Sequence, residues 1–211
     1  MIVLNSTSSL DGNAATATVS HIINAGGARI LIVGISWRAA VTVSSVTHNG
    51  QAMTLIGSSN TTNAHAELWD RLLPAVGTFD VVVTFSGATP WIVGALTLNN
   101  VSQTAPLGTF AGATGATNTP TVAVSGRVND IIVDTVAQRQ SILTVGAGQT
   151  QRWNITHDES GLTQDITGGG STEPGAASVT MAWSSGNTLD WAIGGVAIHP
   201  GPVVMITDGD I

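Results

Sequence analysis

The chain has 211 residues, a net charge of −7 with histidine neutral, and 9% charged against 43% hydrophobic residues. It contains no Cys, Tyr or Lys, and 96 of its residues are Thr, Ser, Gly or Ala. This composition excludes a disulfide framework, thiol catalysis and a cysteine zinc site, and a basic complement of six Arg argues against a protein that grips nucleic-acid phosphates.

The N-terminus, from Met1 to Asp11, has no basic start and no long apolar stretch, so no signal peptide is expected. The longest apolar run, residues 30–35, is far shorter than the roughly 20 residues of a membrane helix. No membrane partner is expected. Helical periodicity is nearly absent. Short runs rich in Val, Ile and Thr, separated by Gly, Asn, Ser and Pro, predict strands instead. In chain order these are 16–22, 29–37, 41–47, 52–56, 64–72, 79–85 and 91–98. A second series covers 120–124, 130–137, 143–145, 149–156, 179–183 and 191–199. The run 29–37 is nearly all apolar, as in a strand covered on both faces. In 79–85, Phe79, Val81, Val83 and Phe85 share one face, and Val179, Met181 and Trp183 repeat the pattern. Asn49 and Gly50 predict a two-residue hairpin turn. The stretches 108–119 and 161–175, the second holding Gly168, Gly169 and Gly170, read as long loops.

The two halves resemble each other at a spacing of about 100 residues. Leu31-Ile-Val33 matches Ile131-Ile-Val133, and Gly50-Gln51 matches Gly148-Gln149. Pro74 matches Pro174, the run from Val81 to Phe85 matches that from Val179 to Trp183, and Trp91 to Gly94 matches Trp191 to Gly194. The expectation is a single all-β domain over 1–200, with pseudo-repeats at about 16–100 and 119–200 and a tail at 201–211. Each copy would supply about half the strands of two facing sheets in an antiparallel jelly-roll-like β-sandwich, since neither half looks able to bury its apolar face alone.

Several runs carry a likeness to known domains. They include Arg29 to Ser36, Val46 to Gly57, Glu67-Leu-Trp69, Pro74 to Gly87, Val101 to Leu107 and Asp190 to Ile198. The region 28–200 resembles a set of poorly characterised β-sandwich domains in tailed-phage particle proteins and bacterial surface proteins. The resemblance marks strands and turns. It implies a structural or adhesive role and transfers no functional residue.

No chemical motif stands out. His21, His48, His65, His157 and His199 show no metal-ligand spacing, and no Ser lies in a GxSxG elbow. The acidic pairs Asp158-Glu159 and Asp208-Gly-Asp210 read as solvated turns rather than carboxylate dyads or a Ca²⁺ loop. Gly168-Gly169-Gly170 lacks the Lys of a phosphate loop. No catalytic residue, metal or cofactor is expected. Of the six Trp, Trp69 and Trp153 sit beside Asp70 and Arg152 and are the candidates for a half-exposed platform that stacks on sugar rings. After Pro202, the apolar residues Val203, Val204, Met205 and Ile206 could add a strand to a neighbouring subunit.

A surface of small uncharged side chains loses little entropy and little hydration when covered. The absence of Lys also removes a common guard of edge strands. The expected function is therefore non-enzymatic assembly on the exterior of a virus particle, as a capsid decoration (cement) or fibre protein. Its partners would be copies of itself, as a trimer, and a larger protein shell, with no nucleic acid. Its location would be the virion surface or extracellular. The alternative is a carbohydrate-binding or adhesin module.

Overall fold

A computed structural model describes residues 1–158 and 166–202. Every regular element among them is a strand. In chain order these are β1 (Val3–Ile23), β2 (Ile30–Trp37), β3 (Val43–His48), β4 (Gln51–Ala52), β5 (Thr54–Asn60), β6 (His65–Leu72) and β7 (Gly77–Asn99). After these come β8 (Ala111–Gly115), β9 (Thr121–Ser125), β10 (Ile131–Arg139), β11 (Leu143–Val145), β12 (Thr150–His157), β13 (Ile166–Pro174), β14 (Ser178–Ser185) and β15 (Trp191–Ile198). All strand pairings are antiparallel. The all-β, antiparallel expectation is met.

The strands form three sheets. The first runs β4-β3-β7-β2-β6-β5, with β1 also on β7. The second runs β12-β13-β10-β15-β8 and the third β11-β14-β9. Strands β1 and β7 are long because each doubles over. His21 Nδ1 lies 2.7 Å from Ser8 Oγ although both belong to β1. A straight strand would hold residues that far apart in sequence roughly 43 Å from each other. The bend falls where the register breaks. Between the pairs Ala14↔Thr89 and Thr16↔Thr84, β1 advances two residues and β7 advances five. The separately predicted runs 79–85 and 91–98 are thus two arms of one strand.

Three apolar clusters fill the layers. The first lies between the two large sheets, where Ile30, Ile32, Leu68, Ile92 and Leu96 meet Val133, Trp153, Ile166 and Val196. The second is drawn from residues 17–95 and the third, in its buried members, from 122–197. The shared core expected from the sequence is therefore one of three. Strand β2 serves two of them: Ile30 and Ile32 face the first, and Leu31, Val33, Ile35 and Trp37 the second. That is why its eight residues are all buried.

The hairpin at Asn49 and Gly50 is present, with φ of 51° and 67°, and it sets His48 opposite Gln51. Two expectations are corrected. Strand β8 occupies part of the expected loop 108–119. Strand β13 occupies most of the expected loop 161–175, and its residues 166–172 are buried. Gly168, Gly169 and Gly170 form no flexible loop but lie in β13, the neighbour of β10. They are glycines because the facing layers come too close for a side chain. A Cβ at Gly168 would stand 2.7 Å from Ile92 Cβ and 2.8 Å from Ser36 Cβ.

Candidate functional site

Strand β6 reads His65-Ala-Glu-Leu-Trp-Asp-Arg-Leu72 and alternates as a strand must. Ala66 and Leu68 point into the first cluster. His65, Glu67 and Trp69 point to the opposite face, where Trp69 packs partly against the second cluster. On that face lies a cleft of about 250 Å³ lined by Trp37, Val41, Thr42, Asn60, His65 and Glu67.

The cleft's polar groups are held in place. The His65 ring stacks on Trp37 at 4.9 Å with the planes 14° apart. His65 Nδ1 lies 3.1 Å from Asn60 Oδ1, the pairing fixed by the register Asn60↔His65. Trp69 Nε1 donates to Glu67 Oε2 at 2.8 Å. Burial raises the pKa of Glu67, opposed by the Trp69 hydrogen bond. Burial likewise lowers that of His65. The site thus offers a carboxylate and an amide on one face, with the half-buried Trp69 indole bonded to the carboxylate from outside the cleft.

Trp69 is half-buried and bonded to Glu67 at the edge of the cleft, without lining it. Trp153, expected to be half-exposed, is not. It is 3% exposed and lies in the first cluster. A Cβ at Gly94 or Gly170 would stand 2.1 Å from its indole, and one at Gly34 2.6 Å. These glycines make a slot the ring fills, so Trp153 cannot stack on a ligand. Arg152, its neighbour, sits at the register shift of β12 between Gln151 and Trp153 and donates from Nε to Thr172 Oγ1 at 2.8 Å. Trp37, Trp91, Trp183 and Trp191 are also buried.

Two buried polar groups escaped the sequence reading. Asp134 is fully buried and accepts from Ser171 N at 2.6 Å, Ser171 Oγ at 2.8 Å and Trp183 Nε1 at 2.7 Å. Burial raises its pKa to about 7 against the pull of these bonds. Ser171 Oγ accepts in turn from Gln149 Nε2 at 2.7 Å. An Asp in the apolar run Ile131-Ile-Val-Asp-Thr-Val-Ala137 was the available signal. His21 is fully buried, bonded to Ser8, and Thr97 Oγ1 lies 2.9 Å from its Nε2. Burial, with the neighbouring His48, lowers its pKa to about 4.

Two further histidines, His157 and His199, tie elements together. His157 Nδ1 sits 2.8 Å from Asp11 Oδ2, and His199 Nδ1 sits 3.0 Å from Asp130 Oδ1. Among the described residues no group of three His, Cys, Asp or Glu could hold a metal ion. No helix there is long and apolar enough to cross a membrane. Val203, Val204, Met205 and Ile206, like Glu159, Asp208 and Asp210, lie outside the described residues. No family model, curated protein or solved structure matches the chain.

Proposed function

We propose that the protein is a non-enzymatic structural component on the exterior of a virus particle, a capsid decoration (cement) or fibre protein. It acts by packing against copies of itself, as a trimer, and against a larger protein shell. The observation that carries this reading is an apolar groove of about 340 Å³ beside the start of β10 and the end of β13, lined by Met1, Ile2, Val128, Ile131 and Pro174. Met1 is 90% and Val128 77% exposed, so apolar surface faces water there. An adjoining cleft is lined by Met1, Ala28, Asn100, Gly201 and Pro202. The chain thus reaches Pro202 beside the groove, and Val203, Val204, Met205 and Ile206 follow directly. These four residues of a neighbouring copy are the proposed occupant. Covering such surface contributes about 25 cal/mol per Å².

The reading includes a duplicated, jelly-roll-like chain. Its support is the pairing pattern. With the arms of β1 and β7 counted separately, the order β5-β6-β2-β7-β1 corresponds to β12-β13-β10-β15-β8. In the same way β3-β7-β1 corresponds to β11-β14-β9. Trp37 pairs with Trp91, and Gln138 with Trp191. Strand β2 then maps onto β10 at a spacing of 101 (Trp37 to Gln138), and β7 onto β15 at 100 (Trp91 to Trp191). The alignment of Leu31 with Ile131 slips by one residue in this mapping.

Sedimentation velocity tests the assembly. The full chain is expected to run as a trimer. A chain ending at Pro202, and Val128→Asp in the full chain, are expected to run as monomers with unchanged far-ultraviolet circular dichroism. A full chain that stays monomeric at high concentration overturns the reading. A second reading, a carbohydrate-binding or adhesin module, is supported by the cleft beside Trp69.

A further inference from the structure

We infer that the cleft on the outer face of β6 binds a single ring of a neutral saccharide, with Glu67 and Asn60 taking adjacent hydroxyl groups and Trp69 holding the Glu67 carboxylate in place. The inference rests on the carbohydrate-binding reading and assigns its site and ligand chemistry.

Internal bonding leaves an acceptor and a donor of the cleft available. Glu67 Oε2 is occupied by Trp69 Nε1. Glu67 Oε1 has no hydrogen-bond partner among the described residues and remains an acceptor. Asn60 Oδ1 is engaged by His65 Nδ1. Asn60 is exposed, so its Nδ2 group is left to donate. A fixed acceptor and a fixed donor on one face suit a pair of neighbouring hydroxyls, since each hydroxyl can both give and accept a hydrogen bond.

Size and charge narrow the ligand further. The cleft, at about 250 Å³, is smaller than the roughly 300–1,000 Å³ of sites that enclose drug-sized ligands. It therefore holds one ring of a longer chain. The carboxylate at its edge disfavours phosphate and other anions. An ammonium ligand would satisfy Glu67 but would leave the Asn60 donor without a role. Ala40 and Val41 line the cleft and supply the apolar surface that the C–H face of a sugar ring covers. Trp37 lines the cleft and Trp69 is bonded to Glu67 at its edge, so a ligand-induced change in tryptophan emission reports on the site.

The test is an array of immobilised neutral oligosaccharides, built from glucose, galactose, mannose, rhamnose and N-acetylglucosamine, followed by fluorescence titration of any that bind. Choline and inorganic phosphate are titrated alongside. The expected result is binding of at least one neutral sugar with a change in tryptophan emission. Glu67→Gln, Asn60→Ala and Trp69→Ala are each expected to lower affinity about tenfold or more. Trp69→Phe, which keeps a ring and removes the donor to Glu67, is expected to lose about as much as Trp69→Ala. Matching thermal melts keep loss of fold apart from loss of site. If a sugar binds but these variants bind it unchanged, the site assignment fails while the carbohydrate reading stands. If no neutral sugar binds at millimolar concentration, or only choline or phosphate does, both fail.

Discussion

Trp183 donates its indole hydrogen to Asp134 Oδ2 at 2.7 Å, linking β14 of the three-stranded sheet to β10 of the five-stranded one. The carboxyl is fully buried and its other oxygen is taken by Ser171. Burying such a group is costly unless its bonds are complete. Asp134→Ala leaves the donors of Ser171 and Trp183 without a partner and is expected to cost about 3 kcal/mol. Trp183→Phe keeps most of the volume, loses one bond, and is expected to cost about 1–2 kcal/mol. Urea unfolding followed by circular dichroism measures both.

The same carboxyl sets a pH dependence. Its folded pKa is raised to about 7 from an ordinary 3.8. Between those values the folded state holds a proton that the unfolded chain has released. Stability from this group therefore falls as pH rises from about 4 to 7, by about 4 kcal/mol in all. Unfolding free energies measured across that range should show this component in the wild type and lack it in Asp134→Asn.

His21 works in the opposite direction. Its folded pKa is lowered to about 4 from an ordinary 6.5, by burial first and His48 second. Below pH 6.5 the unfolded chain takes up a proton that the folded chain refuses until about pH 4. Stability is therefore lost as pH falls through that window, by about 3 kcal/mol. His21→Gln, which can still bond Ser8 and Thr97, should remove this slope. In the wild type the two trends oppose each other between pH 4 and 6.5, so the difference between each variant and the wild type is the quantity to compare.

The slot around Trp153 predicts sensitivity in both directions. Trp153→Ala empties it and is expected to cost about 3–5 kcal/mol. Gly170→Ala puts a Cβ 2.1 Å from the indole and is expected to cost about 1–3 kcal/mol or more. Neither change touches the cleft at Glu67. Sugar binding, measured below the melting temperature of each variant, should be unchanged.

At the first hairpin, backbone strain can be isolated. Gly50 has φ of 67°, and a Cβ there would meet nothing within 4 Å. Gly50→Ala is expected to cost about 1 kcal/mol through conformation alone. Gly27 also has open space around an added Cβ but no positive φ, and Gly27→Ala should be neutral or slightly stabilising. Thermal melts of the two single variants compare the cases.

Much of the fold was legible because strand signals are local. Alternation in Phe79–Phe85 and Val179–Trp183 needs only neighbouring residues, and the Asn49-Gly50 turn needs only two positive φ angles. Strand β13 was hidden for the converse reason. Its glycines carry no apolar signal of their own, and they are buried because Ile92, Ser36 and Trp153 press against them from other elements. The cleft was half legible. Trp69 could be singled out from its sequence, but Asn60, His65 and Glu67 join it only through the pairing of β5 with β6 and the stacking on Trp37.

By itself, then, the sequence determined the secondary structure class, most strand positions and the low-charge surface, since these follow from composition and from a period of two. Tertiary structure decided which tryptophans see water, where β1 and β7 fold over, and that Asp134 and His21 are buried. Those outcomes depend on which sheet faces which, and no local pattern records the distance between layers.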